Sequence, residues 1–242
     1  MLYGLVSVGG VSFTPAKDIP ELYKKVIFIT GGNVGLGKES ALQLARHEPE
    51  RIYLSCRDAA KADAAILDIQ MVVPHTPITF IQCDLTSLSS IQAAAKEFLS
   101  KESRLDILML NAGIMAVPPG TTREGYEVQF GTNHVGHALL TKLLMPVMLE
   151  TAKLPEADVR VVALSSIGHT MAPTQGIVFE GLKSENGGCG TSMARYGQSK
   201  LANILFVREL QRRYGDKGIT AVAVHPGVVN TELYRTVFSG AF

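Results

Sequence analysis

The stretch Thr30-Gly31-Gly32-Asn33-Val34-Gly35-Leu36-Gly37 joins an apolar run, Val26 to Thr30, to a segment with helical spacing, Leu36 to His47. Glycines at such a junction let the chain turn sharply and approach a pyrophosphate with no Cβ in the way. The helix that follows offers oriented N–H groups to the same anion. A glycine trio alone suits any tight strand-to-helix turn, so its weight comes from opening a βαβ unit. Gly31, Asn33, Gly35, Leu36 and Gly37 are therefore candidate phosphate-cradle residues.

Outward from this turn, short apolar runs alternate with helix-length segments. Strands are expected at Val26 to Thr30, Arg51 to Ser55, Ile78 to Cys83, Asp106 to Asn111, Val159 to Ser165 and Ile219 to His225. Helices are expected at Leu36 to His47, Asp58 to Met71, Ser87 to Ser103, Arg123 to Glu150 and Ala194 to Tyr214. Brief buried-strand runs in βαβ alternation imply a Rossmann-type, doubly wound parallel sheet of the α/β class, with helices on both faces: a three-layer α/β/α single domain. Such sheets bind ligands beyond the carboxyl ends of their strands. The polar, glycine-rich stretch Gly168 to Met193 reads as a long surface loop.

Composition narrows the function classes. A chain of 242 residues with 46% hydrophobic residues can bury one large core, so residues 1–242 are expected to form one domain preceded by an arm, 1–24. The net charge of +1 gives no basic footprint for nucleic acid. Cys56, Cys83 and Cys189 are too scattered for a disulfide framework or zinc site, which favours a reducing, cytoplasmic setting. The apolar segment Met1 to Phe13 lacks a basic n-region and is shorter than the ~20 residues of a membrane span. It is expected to pack on its own or a neighbouring subunit. No membrane span is expected.

The end of the second strand bears on the cofactor. Sheets that bind NAD usually carry an acid there for the ribose hydroxyls. This chain has Cys56 followed by Arg57, and a cation suits a 2′-phosphate, so NADP(H) is favoured. Asp58 is placed to cap the next helix, and Lys38 to assist Asn33 at the phosphate. Asn111, Ala112 and Gly113 end the fourth strand with small residues that let a cofactor pass close. Asp84 and Leu85 follow the third strand, where an acceptor for the adenine amino group belongs.

Tyr196 and Lys200 lie four apart at the start of a helix, one turn apart on one face. A free phenol has a pKa near 10, and a neighbouring ammonium favours the phenolate and brings it into range for acid–base work. Of the two hydroxyls at Ser165 and Ser166, Ser166 is preferred for orienting a substrate oxygen, because it stands just past the strand. Asn133 is poorly placed by helix propensity, which suggests a kink that holds a relay water. His134 and His137, three apart, have no third ligand nearby and are read as structural, so no metal is expected.

TGGNVGLG, NAG, the serine-bearing strand end, YGQSK and His225-Pro226-Gly227 occur in the order that resembles the short-chain dehydrogenase/reductase family, from about Lys25 to Thr231. YLSCRD, NHVGHALLT and the long Ser166–Tyr196 interval resemble its retinol-dehydrogenase-like and WW-domain-oxidoreductase-like subgroup, including fungal members. The resemblance implies Tyr196 as acid/base, Lys200 on the nicotinamide ribose, Ser166 on the substrate oxygen and Asn133 on a relay water. It also implies Pro226, Gly227, Val229 and Thr231 along the nicotinamide side. The expected activity is hydride transfer between NADP(H) and a carbonyl or alcohol, with a lipophilic ketone, aldehyde or alcohol as substrate, in a homodimer or homotetramer. Family members usually continue past the Pro-Gly motif into a substrate-covering segment and a final strand. This chain stops at Phe242, so a short lid and an exposed sixth strand are expected, and a catalytically weak NADP(H)-binding regulatory or redox-sensing protein is the alternative.

Overall fold

In a computed structural model, which describes residues 12–227 together with Val229, Thr231 and Leu233, the chain alternates strands and helices. The short helix α1 (Pro15–Asp18) precedes β1 (Val26–Thr30), α2 (Gly35–Ala45), β2 (Arg51–Cys56), α3 (Ala59–Val72), β3 (Ile78–Gln82), α4 (Leu88–Lys101) and β4 (Ile107–Leu110). Then come α5 (Val128–Phe130), a π turn (Gly131–Val135), α6 (Gly136–Thr151), β5 (Val159–Leu164), α7 (Ser192–Tyr214) and β6 (Ile219–Val224). The six strands pair in parallel in the order β3-β2-β1-β4-β5-β6. The order reverses between β1 and β4, which opens a crevice at their carboxyl ends.

Strand alternation separates two apolar layers. Ile27, Ile29, Ile52 and Leu54 face Ala41, Ala45 and Ile69 of α2 and α3. Val26, Phe28, Tyr53 and Leu108 face Ile91, Phe98, Leu144 and Leu210 of α4, α6 and α7. Phe28, Tyr53 and Phe98 are fully buried, with the Phe98 ring edge-on to both others at 5.5 and 5.0 Å. Each such side chain contributes about 1.5–3 kcal/mol by leaving water. Asp58 and Ser87 cap α3 and α4, accepting from the N–H groups of Lys61 and Ser90.

Two boundaries depart from the sequence reading. The long helix begins at Val128 rather than Arg123, because Thr121 bridges Glu127 and residues between them form a tight turn. The polar loop is broken by two 3-10 turns, Ile167–Met171 and Phe179–Gly181. Within the described sheet β6 is an edge, with Val222 and Val224 both over a third exposed. No helix among the described residues is long and apolar enough to cross a membrane. The apolar arm, except Ser12 and Phe13, and most of the segment after Thr231 lie outside the described residues.

Candidate active site

The glycine turn closes over the end of β1. Gly31 has φ +66°, and its N–H donates to Ser55 O at 2.7 Å. A Cβ here would stand 2.9 Å from Ala112 Cα. A Cβ on Gly37 would collide with the Gly31 carbonyl oxygen and lie 2.5 Å from Asn111 Nδ2. That amide donates to Thr30 O at 2.8 Å and Gly31 O at 3.2 Å, so Asn111 braces the turn from the neighbouring strand. The α2 N-cap is Val34, which supplies no side-chain acceptor, and the first turn carries no acid. A helix start without its own side-chain acceptor or acid suits an anion. Asn33 and Leu36 are half-buried on either side. The Thr231 side chain lies 3.4 Å from where a Gly35 Cβ would be, and Gly227 turns the chain with φ +82°. Pro226 is exposed and Val229 half-buried along the same segment.

Arg57 is exposed just past β2, its carbonyl accepting from Gln82 Nε2 at 3.2 Å. Lys38, expected at the phosphate, is instead paired with Asp68 across α2 and α3. Asp84 uses one carboxylate oxygen to accept from Thr86 N–H and O–H at 2.9 and 2.7 Å, which shapes the turn after β3. Leu85 sends its side chain into the core.

Tyr196 and Lys200 are buried one turn apart on α7. Lys200 Nζ donates to Leu164 O at 2.9 Å, and burial lowers the ammonium pKa to about 8. The same nitrogen lies 3.5 Å from the position of a Gly113 Cβ, next to the cofactor crevice. The two serines part ways. Ser165 Oγ is buried and donates to Lys200 O at 2.9 Å. Ser166 Oγ accepts from Gly168 N–H at 3.0 Å, and a Cβ on Gly168 would lie 3.3 Å from that hydroxyl and 2.9 Å from Tyr196 Cε1. Only a residue without a side chain leaves room between serine and phenol.

Asn133 sits inside the π turn, where Gly136 N–H reaches back to Gly131 O. Both ends of its amide are engaged: Oδ1 accepts from Ile114 N–H at 2.9 Å, and Nδ2 donates to Ile114 O at 3.0 Å and Ser199 Oγ at 2.9 Å. Asn133 thus ties the segment after Gly113 to the Tyr196 helix. His134 and His137 point apart, to Asn203 Oδ1 at 3.1 Å and to Thr30 Oγ1 at 2.8 Å.

A buried ion pair escaped the sequence reading. Arg195 Nε donates to Glu127 Oε1 at 3.1 Å, and Arg195 Nη2 donates to Val117 O at 2.8 Å. Burial pushes the Glu127 carboxyl above its usual range, against the backbone donors Phe130 and Gln129 and the Arg195 charge. Gln198 adds a clamp, accepting from Val178 N–H at 2.7 Å and donating to Gly187 O at 3.2 Å. These bonds hold the loops around the crevice to the start of α7. The only local signal was a charge directly before Tyr196.

A parallel sheet with this strand order, a glycine cradle and a Tyr–Lys turn beside a serine define a class of protein. The chain belongs to the short chain dehydrogenase family, whose model matches residues 25–241, and is an oxidoreductase of that family. It is 44% identical to retinol dehydrogenase 12 of Mus musculus over 95% of this chain and 68% of that protein. It is 41% identical to a short-chain dehydrogenase/reductase of Aspergillus calidoustus, drtF, over 90% of this chain and 71% of that one. The chain spans about two thirds of the length of the curated relatives it matches. In three dimensions it resembles a short-chain dehydrogenase from Sphingobium yanoikuyae, solved in complex with NADPH. The TM-score is 0.70 at 23% identity, over 88% of this chain and 75% of that one.

Proposed function

We propose that the chain transfers a hydride between NADP(H) and a lipophilic ketone, aldehyde or alcohol. The observation that carries this reading is the grouping of Ser166 and Tyr196 on either side of Gly168, with Lys200 one turn on beside Gly113, in a fold whose glycine turn after β1 packs too closely for a Cβ. The cradle, the uncapped α2 N-terminus and the exposed Arg57 fit a dinucleotide with a 2′-phosphate. The NADPH complex of the similar Sphingobium yanoikuyae protein supports the same cofactor.

In this reading Gly31, Asn33, Gly35, Leu36 and Gly37 hold the diphosphate and Arg57 the 2′-phosphate. Asp84 and Leu85 border the adenine. Asn111, Ala112 and Gly113 line the ribose side, and Pro226, Gly227, Val229 and Thr231 the nicotinamide side. When bound, the nicotinamide supplies or takes the hydride. Ser166 orients the substrate oxygen, Tyr196 Oη gives or takes its proton, Lys200 holds the ribose, and Asn133 serves the proton relay. The chain is read as one domain over 1–242 with an arm at 1–24, of retinol-dehydrogenase-like, fungal type, acting in the cytoplasm as a homodimer or homotetramer.

The test follows NADPH oxidation with a panel of ketones and aldehydes. Tyr196→Phe is expected to lower kcat about 100- to 10,000-fold while cofactor affinity stays nearly intact. Retention of more than about a tenth of kcat would overturn the assignment.

A further inference from the structure

His137 is buried at the switch point, between the Tyr196-bearing half of the site and the glycine cradle. Its two nitrogens have different partners. Nδ1 lies 3.0 Å from the Asn133 carbonyl oxygen, which can only accept, so Nδ1 carries the proton. Nε2 is then a bare acceptor, 2.8 Å from Thr30 Oγ1. That hydroxyl already accepts from the N–H groups of Asn111 and Ala112, each at 3.0 Å. Both its lone pairs are used, and its one proton goes to His137 at 2.8 Å in preference to the Met109 carbonyl oxygen at 3.4 Å. Burial lowers the His137 pKa to about 3, which keeps the ring neutral and this polarity constant at working pH.

The bonds run in one direction: Asn111 and Ala112 N–H donate to Thr30, Thr30 donates to His137, and His137 donates to Asn133, while the Asn111 side chain branches off to donate to Gly31 O. We infer that His137 is a positioning residue whose two edges serve the two halves of the site. The Nε2 edge, through Thr30, sets the Asn111–Ala112 turn and the cradle. The Nδ1 edge sets the Asn133 π turn and, through Asn133 and Ser199, the backbone of Tyr196. This rests on the reading of the site as a cofactor and proton-transfer centre.

Asparagine places an amide donor near the position of Nδ1, and glutamine places an acceptor near that of Nε2, so the two substitutions separate the edges. Three quantities are measured: NADPH Kd by fluorescence titration, kcat, and amide exchange at Asn111 and Ala112 in the cofactor-free protein. His137→Asn is expected to raise Kd about 5- to 30-fold and speed exchange at both amides, with kcat changed by less than about twofold. His137→Gln is expected to leave Kd and exchange near wild type and lower kcat about 5- to 30-fold. Thr30→Val, which leaves the imidazole in place, should reproduce the asparagine pattern, and Thr30→Ser, which keeps the hydroxyl, should return Kd and exchange to near wild type. Parallel changes in Kd and kcat for both His137 variants, or unchanged exchange in Thr30→Val, would overturn the inference. If wild-type protein neither binds NADPH nor turns over, the proposed function fails instead, while the exchange measurement still decides the role of His137.

Discussion

The Lys200 ammonium stands 5.6 Å from the centre of the Tyr196 ring, with both side chains buried on one face of α7. Burial costs the charged form, so the folded pKa of about 8 lies below the ordinary lysine value of 10.5. Between those values the unfolded chain binds more protons, and stability rises with pH; below about 8 both states are protonated and the slope vanishes. Cofactor-free wild type is therefore expected to gain about 3–8 °C in Tm relative to Lys200→Met between pH 8 and 10. Turnover should run the other way, falling above pH 8 as the charge is lost. Calorimetry that shows the same pH slope for both proteins would refute the shift.

Ser165 and Ser166 are expected to separate stability from catalysis. Ser165→Ala removes a buried bond to the Lys200 carbonyl and should cost about 1–2 kcal/mol in urea unfolding with little change in kcat. Ser166→Ala removes the cap of the following 3-10 turn and should cost about 0.5–1 kcal/mol and reduce kcat about 100-fold, the usual loss for a donor to a reacting oxygen. The reverse ranking would assign the role to Ser165.

Gly37→Ala isolates the cradle. Alanine favours a helix over glycine by about 1 kcal/mol, so propensity alone predicts stabilisation. The added Cβ instead meets the Gly31 carbonyl and Asn111 Nδ2. The outcome expected is a lower Tm and NADPH binding weakened by at least about tenfold, as for crowding in a well-packed core. A more stable variant with unchanged Kd would show that the turn can yield.

Arg57→Ala tests the cofactor choice. Arg57 is exposed, and among the described residues its hydrogen bond is the one its carbonyl accepts from Gln82. Its removal should spare stability and weaken NADPH by about 10- to 150-fold, the value of one charge-assisted hydrogen bond, with little effect on NADH. Equal losses for both cofactors in a titration would remove Arg57 from the 2′-phosphate.

Local physics made the framework readable. Short β-branched apolar runs between turn signals, such as Val26 to Thr30, suit buried central strands, and helix caps at Asp58 and Ser87 act within three residues of themselves. Strand edges accordingly fall within a residue or two of where pattern put them. The glycines around Gly31 and the Tyr196–Lys200 spacing are likewise local, and the fold and the outline of the proposed site were read from them.

Contacts distant in sequence decided the rest. Lys38 turned to Asp68 because α2 and α3 share a face of the sheet. Helix periodicity predicted continuity from Arg123, whereas the Thr121–Glu127 bridge delays the helix and the π turn at Asn133 widens it. Glu127 meets Arg195, and His137 meets Thr30, across 68 and 107 residues of chain. A hydroxyl at Ser165 or Ser166 suits either role until neighbouring elements show that Ser165 bonds Lys200 O while Ser166 lies beside Gly168, which packs on Tyr196. Residue type and spacing thus determined which groups could do the chemistry. Where each group points depended on which surfaces pack together, because a buried polar atom must find its partner across the fold rather than along the chain.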